Sequence, residues 1–282
     1  MTPLRKRMIR ELKLQRKAES TAKSYLYAVA QLAKHFNRSP DKLRIEEIRD
    51  YVHYLIVERQ LSFSFVNQRL AAFRFLYREV LGQRDFDLRI PCKRPKQLPE
   101  VFSREQVAQL LQAPRLIKHR VLLMTAYGAG LRLSELTTLL PSDIHSARML
   151  IRVRQGKGNK DRYTLLSKSL LAQLREYWRH CRPRRWLFEN HARTAPMPIT
   201  TAQDIYYRNK AKCGFKIGKG IHTLRHCFAT HLLEGGVDLP TLQRLMGHTS
   251  LSTTMKYLHV APARLSEISS PLDLLRLPDK QR

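Results

Sequence analysis

Apolar residues recur at every third or fourth position through the first 82 residues, which is the period of amphipathic helices. In STAKSYLYAVAQLAKHF, a helix predicted to begin at a cap on Ser20, one face carries Tyr25, Ala28, Val29, Leu32, Ala33 and Phe36. In IEEIRDYVHYLIVER, the corresponding face carries Ile45, Ile48, Val52, Leu55 and Ile56. FSFVNQRLAAFRFLYREVLG repeats the pattern, and Gly82 predicts its end. The pattern predicts a helical domain over residues 1–88.

A basic, proline-rich segment follows these helices. Pro91, Pro95 and Pro99 interrupt any helix and favour extended backbone before them. Lysine and arginine stand between the prolines. We therefore predict a domain linker over residues 89–102.

A second domain is predicted over residues 103–265. Ser103 and Gln106 form the capping-box pattern of a helix start. HRVLLMTAYGAGLRLSELTTL predicts two helices separated by a turn at Gly128 and Gly130. In MLIRVRQGKGNKDRYTLL the period changes, and two short apolar runs flank a turn-rich centre, which predicts a β-hairpin. The expected fold is mainly α with a small β-hairpin or sheet, so the second domain is of the α+β class.

A short apolar tail closes the chain at residues 266–282. Pro271 and Pro278 bracket leucines that are too few to build a core. We therefore expect the tail to dock on a neighbouring subunit, with docking on its own domain or a frayed end as the alternatives.

The charge balance points to a polyanionic partner. The chain holds 52 Lys and Arg against 23 Asp and Glu, a formal net charge of +29. Nucleic acid is the expected partner, since neutralising phosphates releases counterions. An anionic membrane surface is the weaker alternative, and no apolar run is long enough to span a bilayer. The N-terminus lacks the apolar centre of a secretory signal. None of the 4 cysteines has C-x-x-C spacing, so we expect reduced thiols in a cytoplasmic protein.

One stretch near the end combines cationic, imidazole and phenol side chains. GIHTLRHCFATHLLEGGVDLPTLQRLMGHTSLSTTMKY holds His222, Arg225, His248 and Tyr257. A phosphodiester attacked by an oxygen gathers negative charge that needs fixed cationic donors, and arginine supplies a planar fork matched to phosphate. A zinc site is the alternative for HTLRH, where His222 and His226 lie four residues apart. Thr223, however, occupies the position of the glutamate base in that motif, so we expect no metal and assign His226 a structural role.

Four segments resemble the signatures of the tyrosine recombinase (phage integrase) family: AYGAGLRLSEL, GKGNKDR, HTLRHCFATHL and MGHTSLSTTMKY. Their order and compact setting are most similar to Xer-like and mobile-element recombinases. The resemblance implies a two-domain clamp on double-stranded DNA, with a helical N-terminal core-binding domain and a tyrosine recombinase catalytic domain. It also implies cleavage and rejoining of strands through a 3′-phosphotyrosine, by a homotetramer on two recombination sites, with the tail packed on a neighbour.

The resemblance assigns six catalytic residues: Arg132, Lys157, His222, Arg225, His248 and Tyr257. The two arginines clamp the phosphate, His222 manages a proton near the nucleophile, and His248 donates a hydrogen bond to the scissile phosphate. Tyr257 is the nucleophile, nine residues after His248.

Lys157 takes the role of general acid for the leaving 5′ oxygen, with Lys160 as the local competitor. Glu135 either orients Arg132 or pairs with another basic residue. No phosphate-binding loop or acidic cluster for Mg²⁺ is present, so no cofactor is expected.

Two other functions remain open at this point. A type IB topoisomerase uses the same chemistry to relax supercoils, and a recombinase relative without catalysis would only bind DNA. The four-segment match and the filled catalytic positions favour a recombinase over both.

Overall fold

In the computed structural model, the described residues are 1–88, 100–154 and 161–258. The chain divides into two compact units, Met1–Lys96 and Gln97–Arg282. The predicted linker at 89–102 lies almost wholly outside the described residues, and the predicted tail at 266–282 lies wholly outside them.

The first unit is helical, as its apolar period predicts. Its helices are α1 (Pro3–Leu14), α2 (Glu19–Phe36), α3 (Ile45–Val57) and α4 (Phe63–Arg74). A π-helical segment, Phe75–Val80, continues α4. Gly82 then adopts a φ of +75°, a left-handed conformation that suits glycine and ends the helix as predicted. The core contains fully buried Leu32, Ile48 and Leu76.

Two details of the helical prediction were wrong. Helix α2 begins at Glu19 after an extended Ala18, without a side-chain cap, so Ser20 lies inside the first turn. Ile56 is 37% exposed, whereas Leu55 is 5% exposed. Successive helical residues point about 100° apart, so these two cannot both face the centre of the core.

The second unit surrounds a small sheet with helices. Its helices are α5 (Arg104–Gln112), α6 (Ile117–Gly128), α7 (Leu133–Thr137), α8 (Lys168–Cys181), α9 (Ile199–Lys212), α10 (His222–Glu234), α11 (Leu239–Met246) and α12 (Leu251–Met255). Its strands are β1 (Ile144–His145), β2 (Leu150–Val153) and β3 (Arg162–Leu165). All pair antiparallel in the order β1-β2-β3. The predicted hairpin is therefore confirmed, and the two-residue β1, too short to show a sequence period, extends it.

Local signals in the second unit form as predicted. The Gln106 N–H donates to Ser103 Oγ at 3.2 Å, and the Ser103 N–H donates to Gln106 Oε1 at 3.0 Å.

Helix α6 is the centre of the unit and packs against α8 and α10. Its Val121, Leu122 and Leu123 side chains are completely buried. This packing holds α10, which carries HTLRH, against the turn that follows α6.

No helix within the described residues is both long enough and apolar enough to cross a bilayer.

Candidate active site

Arg225 lies at the bottom of the site, on α10. It is 1% exposed, and its guanidinium donates to the backbone carbonyls of Gly130 and Met246. Glu135 Oε2 lies 3.9 Å from Arg225 Nη1. Burial, reinforced by the nearby charge of Arg132, lowers the pKa of Arg225 to about 10. The group therefore keeps its charge at neutral pH.

Glu135 joins two further arginines to this group. The Arg162 guanidinium donates to both carboxylate oxygens of Glu135, at 2.8 Å each. The Arg132 backbone N–H and Nη1 also donate to this carboxylate, each at 2.8 Å. Burial alone would raise the pKa of Glu135, but the hydrogen bonds and charges of Arg162 and Arg132 outweigh it and lower that pKa to about 2. Glu135 is thus a permanent anion between three cations, which answers the question that the sequence left open about its partners.

The C-terminal end of α11 supplies a second set of acceptors. Three successive carbonyls each accept from one arginine: Leu245 from Arg162 at 3.0 Å, Met246 from Arg225, and Gly247 from Arg132 at 3.0 Å. The last carbonyls of a helix have no partner within the helix and form the negative pole of its dipole. They therefore fix all three guanidinium groups while leaving the site with a positive net charge.

Two glycines make this arrangement possible. Gly247 ends α11 with a φ of +60°, and a Cβ there would lie 2.7 Å from Arg162 Cδ. Gly130, which presents its carbonyl to Arg225, has a φ of +57°, and a Cβ there would lie 2.3 Å from Phe228 Cδ1. Both the left-handed backbone and the close packing require glycine.

Tyr257 follows α12 and is packed into its own unit. It is 4% exposed and belongs to an apolar cluster with Phe228, Leu242 and Met246. Burial raises the pKa of Tyr257 to about 12, although the charges of Arg225 and Arg132 act in the opposite direction. The phenol is therefore protonated at neutral pH in this structure.

The histidines take three different positions around this phenol. His226 Nδ1 lies 2.9 Å from Tyr257 Oη. The His248 ring lies parallel to the Tyr257 ring, with 6.4 Å between centroids, and its Nδ1 lies 2.9 Å from Thr254 Oγ1. His222 is exposed to solvent and meets the edge of the His226 ring, with 5.0 Å between centroids.

These environments keep the imidazoles neutral near pH 7. Burial, followed by the charge of Arg225, lowers the pKa of His248 to about 4. Burial, followed by the charges of His222 and Arg225, lowers the pKa of His226 to about 4. The partial shielding of His222 from water and the charges of Arg225 and Arg132 also lower the pKa of His222.

Five of the six candidate residues therefore meet at one place formed by the start of α7, helix α10, the end of α11 and the turn after α12. Lys157 and its competitor Lys160 lie outside the described residues. Sequence reasoning did not identify Arg162 as a site residue, although Arg162 is the last residue of the GKGNKDR segment. It also did not predict the contact between His226 and the nucleophile. Within the described part of the chain, no group of three His, Cys, Asp or Glu side chains is arranged to hold a metal ion.

Comparison with known proteins identifies the family of this chain. The phage integrase family pattern matches residues 100–264, and the phage integrase N-terminal SAM-like domain pattern matches residues 4–85. A putative integrase/recombinase of Sinorhizobium fredii is 43% identical over 99% of this chain and 91% of that protein. Tyrosine recombinase XerA of Pyrococcus furiosus is 33% identical over 94% of this chain and 92% of that protein.

A solved structure also shares the fold. XerH site-specific recombinase, in a post-cleavage complex with a palindromic difH substrate, has a TM-score of 0.70 with 20% identity, covering 87% of this chain and 78% of that one. With the family pattern matched over more than half of the chain and an identity above 30% to XerA over most of both chains, the chain belongs to the phage integrase family and is a tyrosine recombinase, an enzyme of site-specific DNA recombination.

Proposed function

We propose that this recombinase cleaves DNA by attack of the Tyr257 phenol oxygen on a phosphodiester held by Arg132 and Arg225. The oxygen–phosphorus bond to Tyr257 forms as the bond from phosphorus to the 5′ oxygen breaks. The phenol loses its proton, and the departing 5′ oxygen gains one. The products are a 3′-phosphotyrosine and a free 5′ hydroxyl, and the reverse reaction joins a new 5′ hydroxyl. The observation that carries the proposal is the placement of Tyr257 beside two histidines and the arginine group of one and the same unit.

The arginine group suits the charge that develops on phosphorus oxygens. Three guanidinium groups face one carboxylate and three carbonyl dipoles, so the site attracts an anion before the reaction begins. Arg132 is the accessible member, with a side chain 24% exposed against 2% for Arg225. Its guanidinium has more N–H donors than its bonds to Glu135 and Gly247 occupy. Arg132 therefore makes the first contact with the phosphate, and Arg225 stabilises the bound phosphate from its buried position.

His248 and His222 complete the proposed site. His248 lies against the nucleophile ring, and its Nδ1 contact with Thr254 Oγ1 orients the imidazole, which leaves the other ring nitrogen for a phosphate oxygen. His222, exposed at the start of α10, handles protons near the phenol from the solvent side. Both stay neutral near pH 7, so each can donate or accept a proton.

Lys157 is the proposed general acid for the 5′ oxygen. It lies outside the described residues, between β2 and β3. Support comes from the flanking strand, because Arg162 at the start of β3 is fixed to Glu135 inside the site. Lys157 precedes Arg162 by five residues, and a chain segment of that length is long enough to join Arg162 to a general acid at the scissile phosphate.

The assembly is a further part of the proposal. We expect residues 1–88 and 103–265 to clamp double-stranded DNA as two domains joined by a linker at 89–102. Four subunits act on two recombination sites, and the tail at 266–282 packs on a neighbour. The net charge of +29 supports the DNA partner, as does the XerH relative solved on its difH substrate. We expect the enzyme to act in the cytoplasm, where its DNA substrate lies.

A suicide substrate, with a nick just downstream of the cleavage site, tests this proposal, because loss of the short 5′ fragment traps the covalent adduct. Wild-type protein should form an adduct that peptide mass mapping places on Tyr257. Tyr257→Phe should bind the same DNA with unchanged affinity and form none. Tyr207→Phe, which alters an exposed tyrosine of the same unit, is the matched control and should form the adduct at the wild-type rate. An adduct with Tyr257→Phe, or one mapped to another residue, would remove Tyr257 from the role.

A further inference from the structure

A histidine to which neither the family resemblance nor the sequence pattern assigned a part in the reaction contacts the nucleophile. His226 Nδ1 is 2.9 Å from Tyr257 Oη, a normal length for a hydrogen bond between a hydroxyl and a ring nitrogen. Their rings are tilted by 46° with 5.7 Å between centroids. Among the described residues, this imidazole, rather than that of His222 or His248, is the hydrogen-bond partner of the phenol.

The position of His226 in the chain shows which two elements this contact connects. His226 follows Arg225 directly and lies four residues after His222, in the first half of α10. Tyr257 is 31 residues away in sequence and follows the five-residue helix α12. The apolar cluster around Tyr257 holds its ring, whereas the hydrogen bond to His226 fixes its hydroxyl. A hydrogen bond to α10 connects the nucleophile to the helix that carries Arg225, the buried arginine proposed to bind the phosphate.

We infer that His226 is a positioning residue, which fixes the hydroxyl of Tyr257 relative to Arg225 so that the oxygen meets the phosphorus in line. The inference rests on the proposed role of Tyr257 as nucleophile. Reacting atoms about an ångström out of place can cost on the order of a hundredfold in rate. His226 thus contributes through geometry rather than by taking up the proton.

The electrostatics of the pair argue against a role as general base. Burial, His222, Arg225 and Lys256 lower the pKa of His226 to about 4, whereas burial raises the pKa of Tyr257 to about 12. Arg225, Arg132, Cys227 and the ring of His248 also lie near the phenol. A base this weak does not take a proton from an acid this weak, but a neutral imidazole nitrogen remains a good hydrogen-bond acceptor. The two groups therefore form a hydrogen bond in which the proton stays on the phenol oxygen.

Three substitutions separate positioning from the alternatives. His226→Phe keeps the ring volume and removes the hydrogen bond. His226→Asn places an uncharged amide near the position of Nδ1, so it restores a hydrogen bond without restoring a base. His226→Gln is the matched control, because its longer side chain carries the same amide towards the position of Nε2 instead.

The measurement is the single-turnover rate of adduct formation on the nicked substrate, at saturating DNA, between about pH 6 and pH 9. We expect His226→Phe and His226→Gln to be roughly 10- to 100-fold slower than wild type. His226→Asn should stay within about fivefold of wild type and follow the same pH dependence. DNA affinity and the thermal midpoint of each variant, measured in parallel, report on the fold.

Several results would overturn the inference. A wild-type rate in His226→Phe would show that the bond does not position the nucleophile, and a faster rate would show that it restrains the nucleophile instead. His226→Asn as slow as His226→Phe, with an altered pH profile, would identify a base. If His226→Phe does not fold, the comparison of His226→Asn with wild type decides alone: a near-wild-type rate and profile support positioning, and a large loss refutes it.

The proposed function fails in a different way. If mass mapping of the wild-type adduct finds the phosphate on a residue other than Tyr257, the nucleophile assignment falls and this inference falls with it. If the adduct is on Tyr257 and His226→Phe is as fast as wild type, only the inference falls.

Discussion

Replacing Glu135 with glutamine would remove the carboxylate that joins the three arginines, with almost no change in volume. The carboxylate is 7% exposed and accepts hydrogen bonds from Arg162 and from both the backbone and side chain of Arg132. The neutral amide would accept on one side only and would present N–H groups to guanidinium N–H groups on the other. The buried charge of Arg225, 3.9 Å away, would also lose its counter-charge.

The magnitude follows from the pKa of Glu135. Its arginine partners hold that pKa at about 2 against an ordinary value of 4.5, and each pKa unit corresponds to about 1.4 kcal/mol. The favourable interaction of the charged form is therefore about 3 kcal/mol, in the range of about 3–5 kcal/mol for breaking a buried ion pair. We expect Glu135→Gln to lower the unfolding free energy of the second unit by about 3 kcal/mol at pH 7.

The pH dependence has a definite sign. Because the pKa of Glu135 is lower in the folded protein, its stabilisation is fully present above pH 4.5 and is lost as the pH falls towards about 2. The difference between wild type and Glu135→Gln should therefore be constant from pH 7 to about pH 5 and should shrink at pH 3.

Urea denaturation followed by tryptophan fluorescence measures this directly, since both tryptophans, Trp178 and Trp186, lie in the second unit. Glu234→Gln is the matched control. Glu234 faces Arg104 at 3.8 Å with both side chains substantially exposed, so its loss should cost at most about 1 kcal/mol. A Glu135→Gln protein within about 1 kcal/mol of wild type at pH 7, or a difference that does not shrink at pH 3, would refute the reasoning.

Three further predictions follow from the same structure. Gly130→Ala should destabilise the second unit by about 3 kcal/mol, since a Cβ would lie 2.3 Å from a ring carbon at a φ of +57°; a urea midpoint unchanged from wild type would contradict this. Stability should fall between pH 6.5 and about 4, because His226 and His248 are held neutral in the fold and take up protons on unfolding; near pH 5.5 each should cost about 1 kcal/mol, and His248→Asn should reduce the loss by about that amount. Lys157→Ala should slow cleavage, and a substrate with a 5′-bridging sulfur, which leaves without a proton, should restore the rate; equal rescue of Lys160→Ala, or none, would assign the acid elsewhere.

The elements of this fold could be predicted largely from sequence because they depend on neighbours a few residues apart. The period of Ile48, Val52 and Leu55 indicates α3, and Ser103 with Gln106 indicates the start of α5. The same local patterns place helix boundaries only approximately, which is why Ser20 was taken for a cap. Membership of the family could also be predicted from the sequence, since four short segments each carry the residue types of a family signature.

The tertiary structure alone decided how the site is held together. Glu135 bonds Arg162 across 27 residues of sequence, and Gly247 accepts from Arg132 across 115. No period or spacing reveals such pairs, because they depend on how α7, β3 and α11 pack in three dimensions. The bond between His226 and Tyr257 is of the same kind: each residue stands in a recognisable segment, but only the packing of α12 on α11, and of α11 on α10, brings the phenol to the imidazole.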